Sequence, residues 1–137
     1  MVIVITGILA AVAIARFSDR ITFETRSFAD QVRVALQYTQ SVAVAQRRNA
    51  CATVAASSLT LTQGTSFGAA CSASVVNPAT GAAFVLNTPS GVSLSLSAGS
   101  NPVTFDALGR TASGWTVTVT GDQAIQILVE QETGYVR

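Results

Sequence analysis

The chain has 137 residues, a formal net charge of +1, and a composition that is 49% hydrophobic and only 11% charged. This length leaves room for one compact head and excludes two domains of ordinary size. An average soluble domain is about 25% charged, so the composition indicates contact with lipid or with another apolar surface. The near-zero net charge excludes a general electrostatic attraction to nucleic acid or to anionic membranes.

The first predicted element is an uncharged apolar segment, residues 1–15, which ends where Arg16 begins a charged stretch. As a helix this segment would be about 22 Å long, shorter than the roughly 30 Å hydrocarbon core of a bilayer. A secretory signal peptide would need a basic region before the apolar run, and here the chain begins directly in apolar residues. We therefore expect several further apolar residues in front of Met1.

An amphipathic helix is predicted next, over residues 16–50, because apolar side chains recur at helical spacing with no Gly or Pro before Asn49. Together with the first segment it forms one helix on the order of 70 Å long. The stripe consists of Phe17, Ile21, Phe28, Val32, Leu36, Thr39 and Ala43. Ion pairs at helical spacing are predicted for Arg16–Asp19, Arg20–Glu24, Arg26–Asp30 and Asp30–Arg33.

A β-rich head, residues 51–137, is predicted because apolar and polar residues then alternate with a period of two. The clearest half-buried strands are residues 59–62, 92–97, 115–120 and 125–127, with further candidates at 83–87 and 103–106. Short antiparallel strands packed on the helix stripe would give an α+β fold. The predicted core contains Trp115, Phe84, Phe105, Val32 and Leu36.

Two cysteines, Cys51 and Cys71, lie 20 residues apart. If the head lies outside the cytoplasm, a disulfide would fasten the segment around Cys71 to the helix end and contribute about 3 kcal/mol. The alternative is a pair of buried free thiols. Two isolated cysteines without His supply too few ligands for a metal, so no metal site is expected.

The absence of His and Lys from the sequence excludes the Ser-His-Asp and Cys-His constellations and Schiff-base chemistry. The head carboxylates remain, but Glu130 and Glu132 are predicted to share one solvated strand face. Residues 63–68 contain glycines without the spacing or the Lys of a phosphate-binding loop. The sequence therefore predicts neither an enzyme nor a cofactor.

The first residues, MVIVITGILAAVAIARF, strongly resemble the region just inside the mature N-terminus of type IV pilins and pseudopilins. The helix followed by a small β head, which ends in Thr-Gly-aromatic-Val at residues 133–136, looks like the FimT/GspH-like minor subunits, including the MSHA-type minor pilins. The resemblance is strong over about the first 20 residues and loose beyond them. It implies the type IV pilin-like fold, and it would place Met1 about eight residues into the mature protein, after the methylated Phe and the Glu of the family.

The resemblance also implies a function: a structural minor pilin or pseudopilin, single-pass in the inner membrane with a periplasmic head, assembled near the tip of a type IV pilus or a type II secretion pseudopilus. Its partners would be membrane lipid, other pilins, the assembly platform and the prepilin peptidase. A lone membrane-anchored periplasmic protein is the alternative. The side chains predicted for membrane and filament packing are Val2, Ile3, Ile5, Ile8, Leu9, Val12 and Ile14.

A second alternative is a DNA-binding minor pilin of competence. Phe105 followed by Gly109-Arg110 resembles a segment of FimT/GspH-like heads, some of which bind DNA through Gly-Arg-x-Arg. This chain has Gly-Arg-Thr-Ala, so the second Arg is missing. Arg110 and Arg137 would be the DNA contacts, although two cations give little affinity for phosphates. The competing interpretation is a turn in which Arg110 is solvated or pairs with Asp106.

Overall fold

The computed structural model describes the backbone of residues 2–137 and the side chains of residues 2–11 and 20–137. In this part of the chain one helix, α1 (Val2–Gln46), is followed by eight strands. The predicted α+β class is therefore confirmed. The strands are β1 (Ala50–Ala55), β2 (Ser58–Gly64), β3 (Cys71–Ser74), β4 (Val85–Asn87), β5 (Ser93–Ala98), β6 (Val103–Phe105), β7 (Trp115–Thr120) and β8 (Ala124–Val129).

The helix runs without interruption for 45 residues, which corresponds to about 67 Å. It ends at Gln46, a few residues before the predicted end, because Arg47 adopts a left-handed conformation with φ 53°. The N–H of Arg48 then donates to the carbonyl oxygen of Ala43 at 3.1 Å, which satisfies a carbonyl of the last turn. The chain can therefore reverse and begin β1 at Ala50. The division into segments 1–15, 16–50 and 51–137 stays a prediction.

The head contains two antiparallel sheets. The first has the order β3-β2-β1-β6, with β4 also paired to β2, and the second has the order β5-β7-β8. The β1–β2 hairpin pairs Ala55 with Ser58, whereas β1 and β6 join distant parts of the chain by pairing Cys51 with Thr104. The first sheet thus places β1, which follows the helix, directly beside β6.

The alternating segments lie in β2, β5, β7 and β8, as the period of two predicts. The predicted strand at Glu130 and Glu132 is wrong, because β8 ends at Val129. Glu132 adopts φ 70°, and the N–H of Gly134 donates to the carbonyl oxygen of Glu130 at 3.0 Å. These two carboxylates therefore belong to a turn and share no strand face.

The core lies between α1 and the sheets, and most of the predicted helix stripe is buried in it. Ile21 is an exception with 41% of its surface exposed, because it precedes the part of the helix that the core covers. The side chain of Phe17 lies outside the described residues. Four of the five predicted core residues are buried, but Phe84 is half-buried and stacks on Tyr38 with 5.8 Å between ring centroids.

Candidate assembly surface

The first turns of α1 present large apolar side chains that nothing in the described chain covers. The exposed fraction of the predicted packing residues in this part ranges from 57% for Ile5 to 86% for Ile3. The side chains of Val12 and Ile14, which belong to the same prediction, lie outside the described residues. The exposed members are Val2, Ile3, Ile5, Ile8 and Leu9.

Within the part of the chain that the structure describes, no helix combines the length and the apolar character needed to cross a bilayer.

Apolar side chains also lie on the outer side of α1, where it runs along the head. Phe23 is 74% exposed and Val34 is 62% exposed. Because 11 residues correspond to about three helical turns, these two side chains lie on the same side of the helix. The predicted stripe does not include them, because it contains only the residues spaced to face the core. In the sequence, the signal for this second surface is the presence of apolar residues at helix positions outside that stripe.

A groove adjoins Val34 where α1 meets the connection between β3 and β4. We call it the helix-side groove; its volume is about 540 Å³, and its lining is mainly apolar. The hydroxyl of Tyr38 in this groove donates to the carbonyl oxygen of Val76 at 3.3 Å, which holds the helix against the β3–β4 connection. Its apolar lining includes Val34, Tyr38, Pro78, Phe84 and Leu86.

Two of the predicted ion pairs on the helix form in the structure. Arg20 Nε lies 2.8 Å from Glu24 Oε1, and Arg33 Nη1 lies 3.2 Å from Asp30 Oδ1, as their spacing predicts. Exposed pairs of this kind stabilise by only about 0–1 kcal/mol. Among the described residues Asp30 pairs with Arg33 and not with Arg26, so that predicted pair does not form, and the predicted pair Arg16–Asp19 lies outside the described side chains.

The two arginines considered for DNA contact each pair with a carboxylate. Arg110 Nε lies 3.3 Å from Asp106 Oδ2, and Arg137 Nη2 lies 2.8 Å from Glu130 Oε1. Asp106 also accepts hydrogen bonds from the backbone N–H groups of Leu108 and Arg110, both at 2.9 Å. The structure therefore contains the turn of the competing interpretation, and DNA contact stays a prediction.

The carboxyl of Asp106 has a lowered pKa. Burial acts in the opposite direction and raises it, but the backbone hydrogen bonds from Arg110 and Leu108, with the guanidinium charge of Arg110, outweigh burial. Asp106 therefore stays ionised and keeps the Arg110 side chain close to the turn.

Cys51 and Cys71 form a disulfide with 6.1 Å between their Cα atoms. Cys51 is the second residue of β1 and Cys71 is the first residue of β3, so the bond joins the two strands that flank β2. The sequence predicted a loose loop fastened to the helix end, whereas the enclosed segment contains β2. A disulfide of this kind fits an oxidising compartment.

The long helix and the two antiparallel sheets define the type IV pilin-like fold. The minor pseudopilin EpsH from the type 2 secretion system of Vibrio cholerae is similar in structure, with a TM-score of 0.66 and 15% identity over 83% of this chain and 94% of that chain. The type IV minor pilin FimU of Pseudomonas aeruginosa has a TM-score of 0.62 and 19% identity over 88% of this chain and 90% of that chain. A second crystal form of FimU has a TM-score of 0.59.

No known family profile and no curated protein matches the sequence. At 15% and 19% identity, the likeness to EpsH and FimU shows the fold. The chain thus has the fold of type IV minor pilins and minor pseudopilins, as the resemblance of its first residues implies.

Proposed function

We propose that this chain is a non-enzymatic, structural minor subunit of a type IV pilus or of a type II secretion pseudopilus. One observation carries the proposal: a single unbroken helix exposes large apolar side chains in its first turns and buries an apolar stripe against the head in its later turns. Exposed apolar surface of this extent indicates contact with lipid or with other proteins. The likeness in fold to a minor pilin and a minor pseudopilin supports a filament as the destination.

In this proposal the apolar helix first holds the subunit in the inner membrane, with the head in the periplasm. The prepilin peptidase processes and methylates the N-terminus, and the assembly platform transfers the helix from lipid to the filament core. There it packs against the helices of other pilins, at or near the tip. Contacts between different surfaces of successive subunits do not close on themselves, so they generate a helical fibre.

Ile8→Arg tests the packing role of the helix. A charge near the middle of an apolar helix costs about 2.5–3.5 kcal/mol in a membrane. We expect the variant to disappear from sheared filament fractions and to decrease in the membrane fraction, as measured by immunoblot of both fractions. The matched control is Ser95→Arg, which places the same charge on an exposed residue of β5.

Wild-type amounts of the Ile8→Arg chain in filaments would contradict the proposal. The lone-anchor alternative makes a separate prediction, namely that the wild-type chain is found in the membrane and never in filaments. The DNA-binding alternative predicts that the purified chain shifts duplex DNA at low salt and that Arg110→Ala removes the shift. Since Arg110 and Arg137 already pair with carboxylates, phosphates would have to displace those carboxylates first.

A further inference from the structure

A cleft of about 470 Å³ lies in the head where α1 ends. We call it the helix-end cleft; its lining consists of Val44, Arg47, Phe67, Ala107 and Leu108. Three of these side chains are large, apolar and exposed, namely Val44 at 48%, Leu108 at 68% and Phe67 at 80%. Single apolar side chains are normal on a protein surface, but here three separate segments of the chain bring them together, and such a patch indicates contact with another molecule.

The loop that carries Phe67 is held in place at both of its ends. Before it, the N–H of Gly64 donates to the carbonyl oxygen of Asn49 at 2.8 Å, and after it Cys71 belongs to the disulfide. The side-chain Nδ2 of Asn49 also donates to the carbonyl oxygen of Ala69 at 3.2 Å. The exposed phenyl ring therefore projects from a loop whose backbone is fixed beside the end of α1.

The turn that carries Leu108 is fastened to the helix. Gly109 lies so close to α1 that a Cβ there would collide with the side chain of Val44. The carbonyl oxygen of Gly109 accepts the hydrogen bond from Gln40 Nε2 at 2.9 Å, and Asp106 holds the backbone N–H of Leu108. Because both segments are held before any partner arrives, little conformational freedom remains to be lost on binding.

Unpaired positive charge is concentrated beside this cleft. Of the seven arginines whose side chains the structure describes, four form ion pairs, whereas Arg26, Arg47 and Arg48 form none. Arg47 belongs to the lining and Arg48 follows it, and the lining contains no carboxylate. A partner that buries an apolar side chain in the cleft is therefore favoured if it also brings a carboxylate to the guanidinium of Arg47.

This chain offers few free carboxylates of its own. Four of the six described carboxylates already form ion pairs with its arginines, and a fifth, Asp122, accepts a hydrogen bond from Thr22 at 2.9 Å. A second copy would therefore bring only Glu132 without an ion pair or a side-chain hydrogen bond. The charges thus favour a different protein as the partner.

The position of the cleft disfavours other kinds of partner. From Ile5 to Val44 the helix advances about 58 Å, so a membrane that holds the first turns, as in the proposed function, is out of reach of the cleft. Two neighbouring cations without further support give little affinity for the phosphates of DNA. A protein surface can supply both the apolar side chain and the carboxylate.

We infer that the helix-end cleft is a docking site for a different protein, which inserts a large apolar side chain between Phe67 and Leu108 and places an Asp or Glu against Arg47. This inference goes beyond assembly through the apolar helix, and only the argument against a lipid surface rests on the proposed function. Three exposed apolar side chains, two fixed turns and an unpaired guanidinium meet at one end of the head.

Photo-crosslinking of the full chain in the cells that produce it tests the inference. With p-benzoylphenylalanine in place of Phe67, we expect one discrete protein adduct, and mass spectrometry should find a large apolar residue and an Asp or Glu in the crosslinked segment. Arg47→Glu should lower the yield of this adduct about tenfold, because two carboxylates then face each other. Arg in place of the partner's carboxylate should restore the yield with Arg47→Glu, which also shows that this variant folds.

Arg26→Glu is the matched control, since it reverses another exposed arginine of α1 that has no ion pair and lies about 32 Å along the helix from Arg47. It should leave the adduct unchanged. The inference is overturned if no protein adduct forms, if the adduct is a lipid, DNA or a second copy, if both charge reversals act equally, or if the reversed partner restores nothing. Since adducts are scored without reference to filaments, these results leave the proposed function to its own test.

Discussion

At the scale of single residues, Gln40 joins three parts of the head. Its side-chain Nε2 donates to the carbonyl oxygens of Gly109 and Thr133, both at 2.9 Å. Gly134 lies so close to this junction that a Cβ there would collide with the carbonyl oxygen of Gly109. The helix, the turn after β6 and the C-terminal turn therefore meet at one point, where two carbonyl groups share a single side chain.

Gly134→Ala should destabilise the head more than Gly81→Ala. Both glycines have positive φ, 64° and 71°, so each substitution strains the backbone by about 1–2 kcal/mol. Gly81 faces open space, whereas Gly134 meets Gly109 and Gln40, and this crowding should cost about 1–3 kcal/mol more. Urea denaturation followed by tryptophan fluorescence measures both variants, and equal losses of unfolding free energy would contradict the packing argument.

Asp106 should contribute to the acid sensitivity of the head. Its pKa is lowered from the ordinary 3.8, because hydrogen bonds and Arg110 outweigh the opposing effect of burial. A lowered folded-state pKa adds stability above the unfolded value, and this part is lost as pH falls through the folded-state pKa. In thermal melts from about pH 6 to about pH 2.5, the melting temperature of Asp106→Asn should therefore fall less than that of the wild type. Parallel curves for the variant and the wild type would contradict the assignment.

At the scale of elements, β1 explains why one central strand was not predicted. Its residues Ala50, Cys51 and Ala52 are all buried, because β1 contacts both α1 and β5. A strand covered on both faces has no apolar–polar alternation to detect. In contrast, β7 places Trp115, Val117 and Val119 inside and the two threonines between them at partial exposure, so its period of two is visible in the sequence.

The disulfide between β1 and β3 should stabilise the head, because it closes a loop and so lowers the conformational entropy of the unfolded chain. With Cys51 and Cys71 separated by 20 positions in the sequence, the loop-entropy estimate is about 3 kcal/mol. We expect the double variant Cys51→Ala/Cys71→Ala to lose about this amount in urea denaturation. Reductant should lower the wild type to the level of the variant and leave the variant unchanged, so an equal effect of reductant on both would refute the estimate.

At the scale of the whole molecule, the helix is longer than the head that packs on it. Side chains from Phe28 to Ala43 are buried on one side, whereas the described side chains of residues 2–11 remain exposed. Burial of an apolar side chain stabilises by about 1.5–3 kcal/mol, so these exposed turns strongly favour a second apolar environment. The head itself needs no partner to form its core.

This arrangement predicts how the intact chain behaves in solution. The wild type should require detergent, and serine at Ile3, Ile5 and Ile8 should remove that requirement, as measured by ultracentrifugation with and without detergent. Serine at Phe67 and Leu108 is the matched control, because these exposed side chains belong to the head and lie far from the first turns in sequence. The prediction fails if the wild type stays dispersed without detergent or if the helix variant still sediments.

The sequence by itself determined the α+β class, the unbroken helix, its exposed first turns and six of the eight strands of the described chain. These features depend on the periodicity of neighbouring residues, which a sequence displays directly. Tertiary structure decided the pairing of β1 with β6, the junction at Gln40, the carboxylate partner of Arg137, and the helix-end cleft beside Phe67. Most of these contacts join residues that are distant in the chain, and the others depend on the conformation of a turn. The order of apolar and polar residues along the chain does not predict either kind of contact.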